Sequence, residues 1–321
     1  MTMITKLLSR LALMLMPYAA MAANDGKPVE WVVGYAPGGG SDVVARMLAE
    51  AMGKTLNQTM IVVNKPGAGS NIAADYVAKS KDAGHVVFTA DSAMLAANPF
   101  LYSKLTYQAE KDFAPVGMIA RFPLVLVVAP NVPAKNLKEF LAWAKSNASG
   151  TNYASPGAGS PHHLVTELFR EQTGLKLQHA PYRGAAPAVQ DLIGGQVPFM
   201  FIDTSSGGQH IASGKVKAIG VASAARLKTM SEIPTLIEQG LAGFEAYAWQ
   251  ALVVPAATPA ETVNALNKAL VAALDSTSVK ARLQVLGIEP TPSTPEQLTS
   301  YAKSERERWG RVIRDAGIKL D

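Results

Sequence analysis

The feature that most constrains this chain is a repeated unit: a short apolar run, a glycine-rich turn, then a helical stretch. Strand-like runs at residues 30–35, 60–64 and 86–90 alternate with helix-like spacing at 41–52 and 71–79. In the first of these helices Val44, Met47, Leu48 and Ala51 share one face. Strands separated by helices of this length demand βαβ crossovers and a largely parallel sheet. An apolar stretch at 122–129 leads through Pro130 and Pro133 into a helix at 137–146, and the alternation begins again. Strands are expected at 151–154, 177–180, 197–202 and 218–222, with helices at 161–173 and 186–192 between them. After an apolar run at 247–254 the chain turns wholly helical, at 259–274, 278–286 and 295–316. Those helices have no strands of their own, so they should cover the first unit. The fold class that follows is α/β, with two lobes of mainly parallel sheet flanked by helices. Two crossing segments, near 122–130 and 247–255, would join a lobe of residues 23–125 plus 253–321 to one of residues 126–252.

The N-terminus carries Lys6 and Arg10, then an apolar run at 11–16, then small residues at Ala19, Ala20, Ala22 and Ala23. This is the order of a secretory signal peptide, with cleavage expected after Ala22. The run is too short to span a bilayer comfortably, and no other segment offers the ~20 apolar residues that spanning needs. The exported protein is therefore expected to be soluble. Losing residues 1–22 removes two basic and no acidic side chains, which lowers the formal charge from +5 to +3. The basic residues are interleaved with acids, as in Glu305, Arg306, Glu307 and Arg308. Nucleic-acid binding calls for a basic stripe, and none is visible. The small excess suits a weak attraction for anionic solutes. With no cysteine in 321 residues, a thiolate nucleophile, an iron–sulfur cluster and a cysteine-ligated zinc are ruled out.

One internal echo stands out: Pro66-Gly67-Ala68-Gly69-Ser70 recurs as Pro156-Gly157-Ala158-Gly159-Ser160, once in each expected lobe. Each copy follows a strand and opens a helix. Pro37-Gly38-Gly39-Gly40-Ser41-Asp42 and Arg183-Gly184-Ala185-Ala186-Pro187 have the same character. Glycine lets a ligand approach main-chain N–H groups with no Cβ in the way. A helix's first turn adds unpaired N–H groups and about half a positive charge. Together they make an anion cup, in which Ser41, Ser70 and Ser160 either donate hydroxyls or cap their helices. Any one such loop is equally an ordinary βα turn. Four of them, two per lobe, favour a shared cleft.

The alternatives lack their parts. Gly53-Lys54-Thr55 resembles the end of a P-loop, but the glycine required five residues earlier is Leu48. Gly38 and Gly40 lack the third glycine of a dinucleotide fingerprint, because position 43 is Val. No Gly-x-Ser-x-Gly elbow occurs. His163 and Glu167 have metal-pair spacing, yet two ligands are too few for a closed site. No metal or other cofactor is expected. His162, beside a cup, can donate to a ligand. Asp203, with Thr204, Ser205 and Ser206, follows a strand at the end where open α/β sheets place ligands. It suits an ammonium, a hydroxyl, a bridging water or a plain helix cap. Tyr35 and Trp249 are core residues or walls of the pocket.

Further marks complete a pattern: Asn64-Lys65 before the first echo, Asn98-Pro99 with Leu101-Tyr102, and Lys111-Asp112-Phe113-Ala114-Pro115-Val116. Later come Pro181-Tyr182-Arg183-Gly184, Asp191-Leu192-Ile193-Gly194-Gly195-Gln196-Val197 and Ile233-Pro234-Thr235. In this order the sequence resembles, over residues 31–318, the Bug or TctC type of periplasmic receptors that serve tripartite tricarboxylate transporters. The resemblance implies a two-lobe Venus-flytrap periplasmic binding protein, a monomer and not an enzyme. Its ligand would be a small organic carboxylate: a di- or tricarboxylate, an aromatic acid or an acidic amino acid. Its partners would be that ligand and the permease subunits of the transporter.

By position, the first-lobe contacts would be Ala36, Gly38, Gly39, Gly40, Ser41 and Asp42, with Asp91 and Ser92 beside them. Those of the second lobe would be Ser155, Gly157, Gly159, Ser160, Gly184, Ala185, Ala186, Asp203 and Thr204; the residues' own chemistry adds Tyr35, His162 and Arg183. Relatives often carry Asp-Asn where this chain has Ile202-Asp203, and Thr-Asn where it has Asp91-Ser92. Two other uses of such a scaffold are a sensor that presents its closed form to a signalling partner and a secreted hydrolase using His162 or His163.

Overall fold

The computed structural model describes residues 26–147 and 149–321; the signal-peptide reading lies outside them. The first βαβ run consists of β1 (Val29–Val33), α1 (Gly40–Leu56), β2 (Met60–Asn64), α2 (Asn71–Ala78) and β3 (Val86–Asp91). A single π-helical turn, Ala93–Ala97, and the short α3 (Asn98–Leu101) follow. Helix α1 lays Val44, Ala45, Leu48, Ala49 and Met52 against the sheet, and Asn57 ends it in the left-handed conformation. The chain then crosses on β4 (Phe113–Val128) to α4 (Leu137–Ser146), β5 (Thr151–Ser155), α5 (Pro161–Thr173) and β6 (Leu177–Pro181). After these come α6 (Ala185–Ile193), β7 (Phe199–Asp203), α7 (Thr204–Ala212) and β8 (Lys217–Val221). It returns on β9 (Tyr247–Pro255) and ends in α8 (Ala260–Asp275), α9 (Thr277–Val285), β10 (Glu289–Pro290) and α10 (Pro295–Asp315).

The strands run in the order β2-β1-β3-β9-β4-β7-β5-β6, with β8 and β10 also paired to β4. The βαβ strands are parallel as expected: β1 with β2 and β3, β5 with β6 and β7. The centre departs from the expectation of mainly parallel sheet. Strand β9 runs antiparallel to β3 and β4, and β4 runs antiparallel to β7 and β8. A chain that crosses out and comes back brings its two crossing strands together in opposite directions.

Strand β4 is also longer than the apolar run 122–129 suggested, because it begins at Phe113. Pro115 and Gly117 hide that beginning. The register with β9 slips between Pro115 and Gly117 and again between Met118 and Ala120, so bulges absorb residues that regular strands exclude.

Helix α8 packs its Leu266, Leu270 and Leu274 with Val44 and Leu48 of α1. Helix α10 does more than cover the first unit. Its Trp309, Val312 and Ile313 share a core with Met94 of the first lobe and Phe169 and Phe201 of the second. Glu305 on α10 is buried and accepts the indole N–H groups of both Trp249 (3.0 Å) and Trp309 (2.9 Å). Trp249, given as either core or wall, is fully buried yet reaches the cleft edge. Among the described residues, no helix is long and apolar enough to cross a membrane.

Candidate ligand-binding cleft

A cavity of about 840 Å³ opens between the lobes, and all four glycine-rich loops line it. Gly39, Gly40 and Ser41 from the start of α1 and the Pro66–Ser70 loop before α2 form one side, while Pro156 to Ser160 and Arg183 to Ala185 form the other. The walls approach closely. A Cβ on Gly40 would lie 3.1 Å from Ser205 Oγ, and one on Gly159 would lie 2.7 Å from a Leu320 methyl. Leu320 itself is tied to the first lobe through its N–H, which donates to Leu101 O at 2.9 Å.

The helix starts are not equivalent. Helices α1 and α6 have Gly39 and Gly184 at their N-caps, with no side-chain cap, so their first-turn N–H groups remain available. Helix α5 is capped by Ser160, whose hydroxyl accepts from His163 N, and α7 by Asp203, which accepts from Ser206 N at 2.8 Å. Ser160 therefore takes the capping role. Ser41 Oγ accepts from the Gln250 amide, while Ser70 Oγ is buried without a partner.

Of the residues singled out from the sequence, Tyr35, Ala36, Gly39, Gly40, Ser41, Asp91, Ser92, Gly157, Gly159, Ser160, His162, Arg183, Gly184, Ala185 and Asp203 all line the cavity. Gly38, Asp42, Ser155, Ala186 and Thr204 are not in its lining. Asp42 lies behind the first loop and accepts from Gly38 N, Arg46 Nε and Asn64 Nδ2, each at 2.9 Å. Gly38, at φ +82°, makes the left-handed turn that allows this. Ser155 is buried, donating to Gly157 O at 2.9 Å and bonding His179 Nε2 at 2.6 Å. Thr204 donates to Gly287 O at 2.6 Å, a bond from the start of α7 to the turn before β10.

The two acids of the cleft are already committed. Asp91 is buried, accepts the Tyr35 hydroxyl, and accepts from Met94 N at 2.7 Å. Burial pushes its carboxyl above the usual carboxylate range despite these bonds. Burial would raise Asp203 as well. There, however, His162, Ser205 and Ser206 N all donate to it and hold it well below that range. His162 Nε2 donates to Asp203 Oδ2 at 3.1 Å, and its Nδ1 is buried without a partner. No nucleophilic hydroxyl is bonded to that nitrogen.

His163 points away from the cavity. Its Nδ1 accepts from Gly159 N at 3.0 Å, and its ring stacks on His179 with centroids 3.9 Å apart. Burial, reinforced by the neighbouring His179, lowers its pKa to about 3; burial lowers that of His179 to about 4. Glu167 does not join His163 on a metal: it accepts from the Tyr153 hydroxyl and pairs with Arg170.

Several lining residues escaped the sequence reading, among them Asn98, Tyr102, Phe122, Gln250 and Leu320. Asn98 and Tyr102 belong to the Asn98-Pro99 and Leu101-Tyr102 motif, which by itself names no contact. Gln250 was visible as the lone amide inside an apolar run.

The chain has close counterparts. The family model described as "Tripartite tricarboxylate transporter family receptor" matches residues 44–318. The chain belongs to that family. Among curated relatives of this receptor, the protein BugT of Bordetella pertussis is 34% identical over 92% of this chain and 90% of its own. Among solved structures, an R. palustris protein with adipate superposes with a TM-score of 0.85 at 32% identity, covering 91% of this chain and 98% of that one. MatC from Rhodopseudomonas palustris, with bound malate, gives 0.80 at 34% identity over 89% and 98%. The receptor thus has the two-lobe periplasmic binding protein fold, in a family of solute-binding receptors.

Proposed function

We propose that this chain is an exported receptor which captures a small organic carboxylate between its lobes and delivers it to the permease subunits of a tripartite transporter. The observation that carries this reading is the pair of uncapped, glycine-started helices α1 and α6, which open into one cleft from opposite lobes. Their first-turn N–H groups and partial positive charge suit an anion at each end of the cavity. The volume suits a small organic acid with its bound water. That relatives in this family were solved with adipate and with malate supports the carboxylate reading.

The lobes are assigned as residues 23–125 plus 253–321 and residues 126–252, with β4 and β9 as the hinge. In this scheme the ligand draws the lobes together, and the permease recognises the closed form. A thermal-shift panel of di- and tricarboxylates, aromatic acids and acidic amino acids tests the reading, together with native mass spectrometry for retained ligand. One or more acids should raise the melting temperature. A panel in which nothing shifts, with no ligand copurifying, would overturn it.

A further inference from the structure

Most of the cleft lining is small or polar. Apart from prolines, Leu320 is the only aliphatic side chain larger than alanine among the described lining residues. It belongs to no strand end and no helix start. It lies in the segment that follows α10, and that segment is fastened to the first lobe just beyond α3. Leu320 N donates to Leu101 O at 2.9 Å. The Asp321 carboxylate accepts from Ser103 N at 2.8 Å, from Ser103 Oγ at 2.9 Å and from Lys104 N at 3.3 Å. On the other side, Lys319 Nζ donates to Phe100 O at 3.4 Å. Bonds to an ionised carboxylate are the stronger kind, and here three donors converge on one. With both neighbours and its own N–H bonded to residues 100–104, Leu320 is held in the cleft wall.

The second lobe closes onto it. Gly159, in the second echo loop, has φ +76°, a conformation that glycine takes at no steric cost. A Cβ there would lie 2.7 Å from Leu320 Cδ1 and 2.9 Å from Leu101 Cδ1. The loop reaches the two leucines because position 159 carries no side chain. Two first-lobe leucines and a bare second-lobe glycine thus shut this side of the cavity, leaving no gap for a longer ligand to pass. The uncapped starts of α1 and α6 suit the charged group, and a fixed apolar wall decides how much carbon skeleton fits beside it. Packing against such a wall is sensitive to a single methylene.

We infer that Leu320 is the apolar stop that limits the length of the acid the cleft accepts, and that Asp321 is the positioning residue that holds it there. The inference rests on the cleft being the solute site and adds what sets the size of its ligand.

The test is calorimetry on the intact receptor with acids that lengthen by one methylene at a time: the linear diacids from succinate to suberate, the amino diacids from aspartate to 2-aminopimelate, the phenyl acids from benzoate to 4-phenylbutyrate, and citrate against homocitrate. The readout is the affinity ratio between the tightest acid and its next longer homologue. In the wild type the longer one should bind about tenfold or more weakly. Leu320→Ala removes three carbons from the wall, and the ratio should fall by about tenfold or invert. Leu320→Met, of similar volume, should keep the ratio within about threefold of wild type. Asp321→Ala should move the ratio in the same direction as Leu320→Ala while the melting temperature holds, because Asp321 is exposed. Asp321→Asn, which retains an acceptor, should restore it.

Two results overturn the stop while leaving the receptor reading intact. One is a wild-type preference for the longest member of its series. The other is a ratio in Leu320→Ala within about twofold of wild type, including the case where both homologues weaken equally, which is what a purely structural leucine gives. An unchanged ratio in Asp321→Ala overturns the positioning role of Asp321. Failure of every acid in the four series to bind overturns the receptor reading, and this inference with it.

Discussion

Lowering the pH should open the second lobe from beneath its echo loop, because that loop rests on two histidines held neutral. His163 Nδ1 accepts the Gly159 N–H, and His179 Nε2 donates to Ser155 Oγ, which in turn donates to Gly157 O. The rings stack at 3.9 Å with Tyr153 beside them, His163 buried and His179 half-buried. Their folded-state pKa values, about 3 and about 4, lie below the unfolded value of 6.5. Between roughly pH 6 and pH 4 the unfolded chain therefore holds up to two more protons than the folded one, and stability falls as the pH falls. Above 6.5 the penalty is absent.

One such proton gives a slope of about 1.4 kcal/mol per pH unit, and two give about 2.7. For His179 alone, the drop from 6.5 to about 4 costs at most about 3 kcal/mol once complete, less what solvent at this half-buried ring screens, against the roughly 5–15 kcal/mol that holds a typical protein folded. The assay is urea unfolding at pH 7, 6 and 5, followed by tryptophan fluorescence, on wild type and on His179→Phe, which preserves the stack but cannot be protonated. The carboxylates and the histidines outside the stack titrate in both proteins and cancel in the comparison, and His163, kept mainly by burial near pH 3, stays neutral across these points. The variant's slope should be shallower by about 1 kcal/mol per pH unit, more between pH 6 and 5 than between 7 and 6. Equal slopes would refute the argument.

Three further outcomes follow from the packing. Gly39→Val should abolish acid binding and keep stability within about 0.5 kcal/mol of wild type, because a Cβ there meets nothing nearer than Ala36 O at 3.7 Å; calorimetry with the best acid of the panel checks it, and retained affinity removes Gly39 from the site. Gly34→Ala is the counterexample, since its Cβ would fall 1.8 Å from Ser70 Oγ; urea unfolding should show a loss of about 1–3 kcal/mol. Glu305→Ala orphans two buried indole N–H groups and should cost about 2–5 kcal/mol, and an unchanged denaturation midpoint would show that the tryptophans are satisfied some other way.

What the sequence made legible was set by how local the signal is. The βαβ units were readable because apolar periodicity is a property of neighbouring residues: α5 runs from Pro161 to Thr173 and β2 from Met60 to Asn64, as their spacing indicated. The first half of β4 was unreadable because Pro115 and Gly117 look like a turn until β9 lies alongside and the bulges between them become possible. The site divides along the same line. Glycine-rich helix starts announce themselves in sequence, so the loops that line the cleft were found. Whether each start is free or capped depends on where one side chain turns, and that decides function. Ser160 and Asp203 turn back onto their own helices, whereas Gly39 and Gly184 have nothing to turn. Asp203 seemed a candidate partner for an ammonium because a carboxylate at a strand end was visible and its three donors were not. Once His162, Ser205 and Ser206 N are bonded to it, the same carboxylate serves to hold a histidine in place.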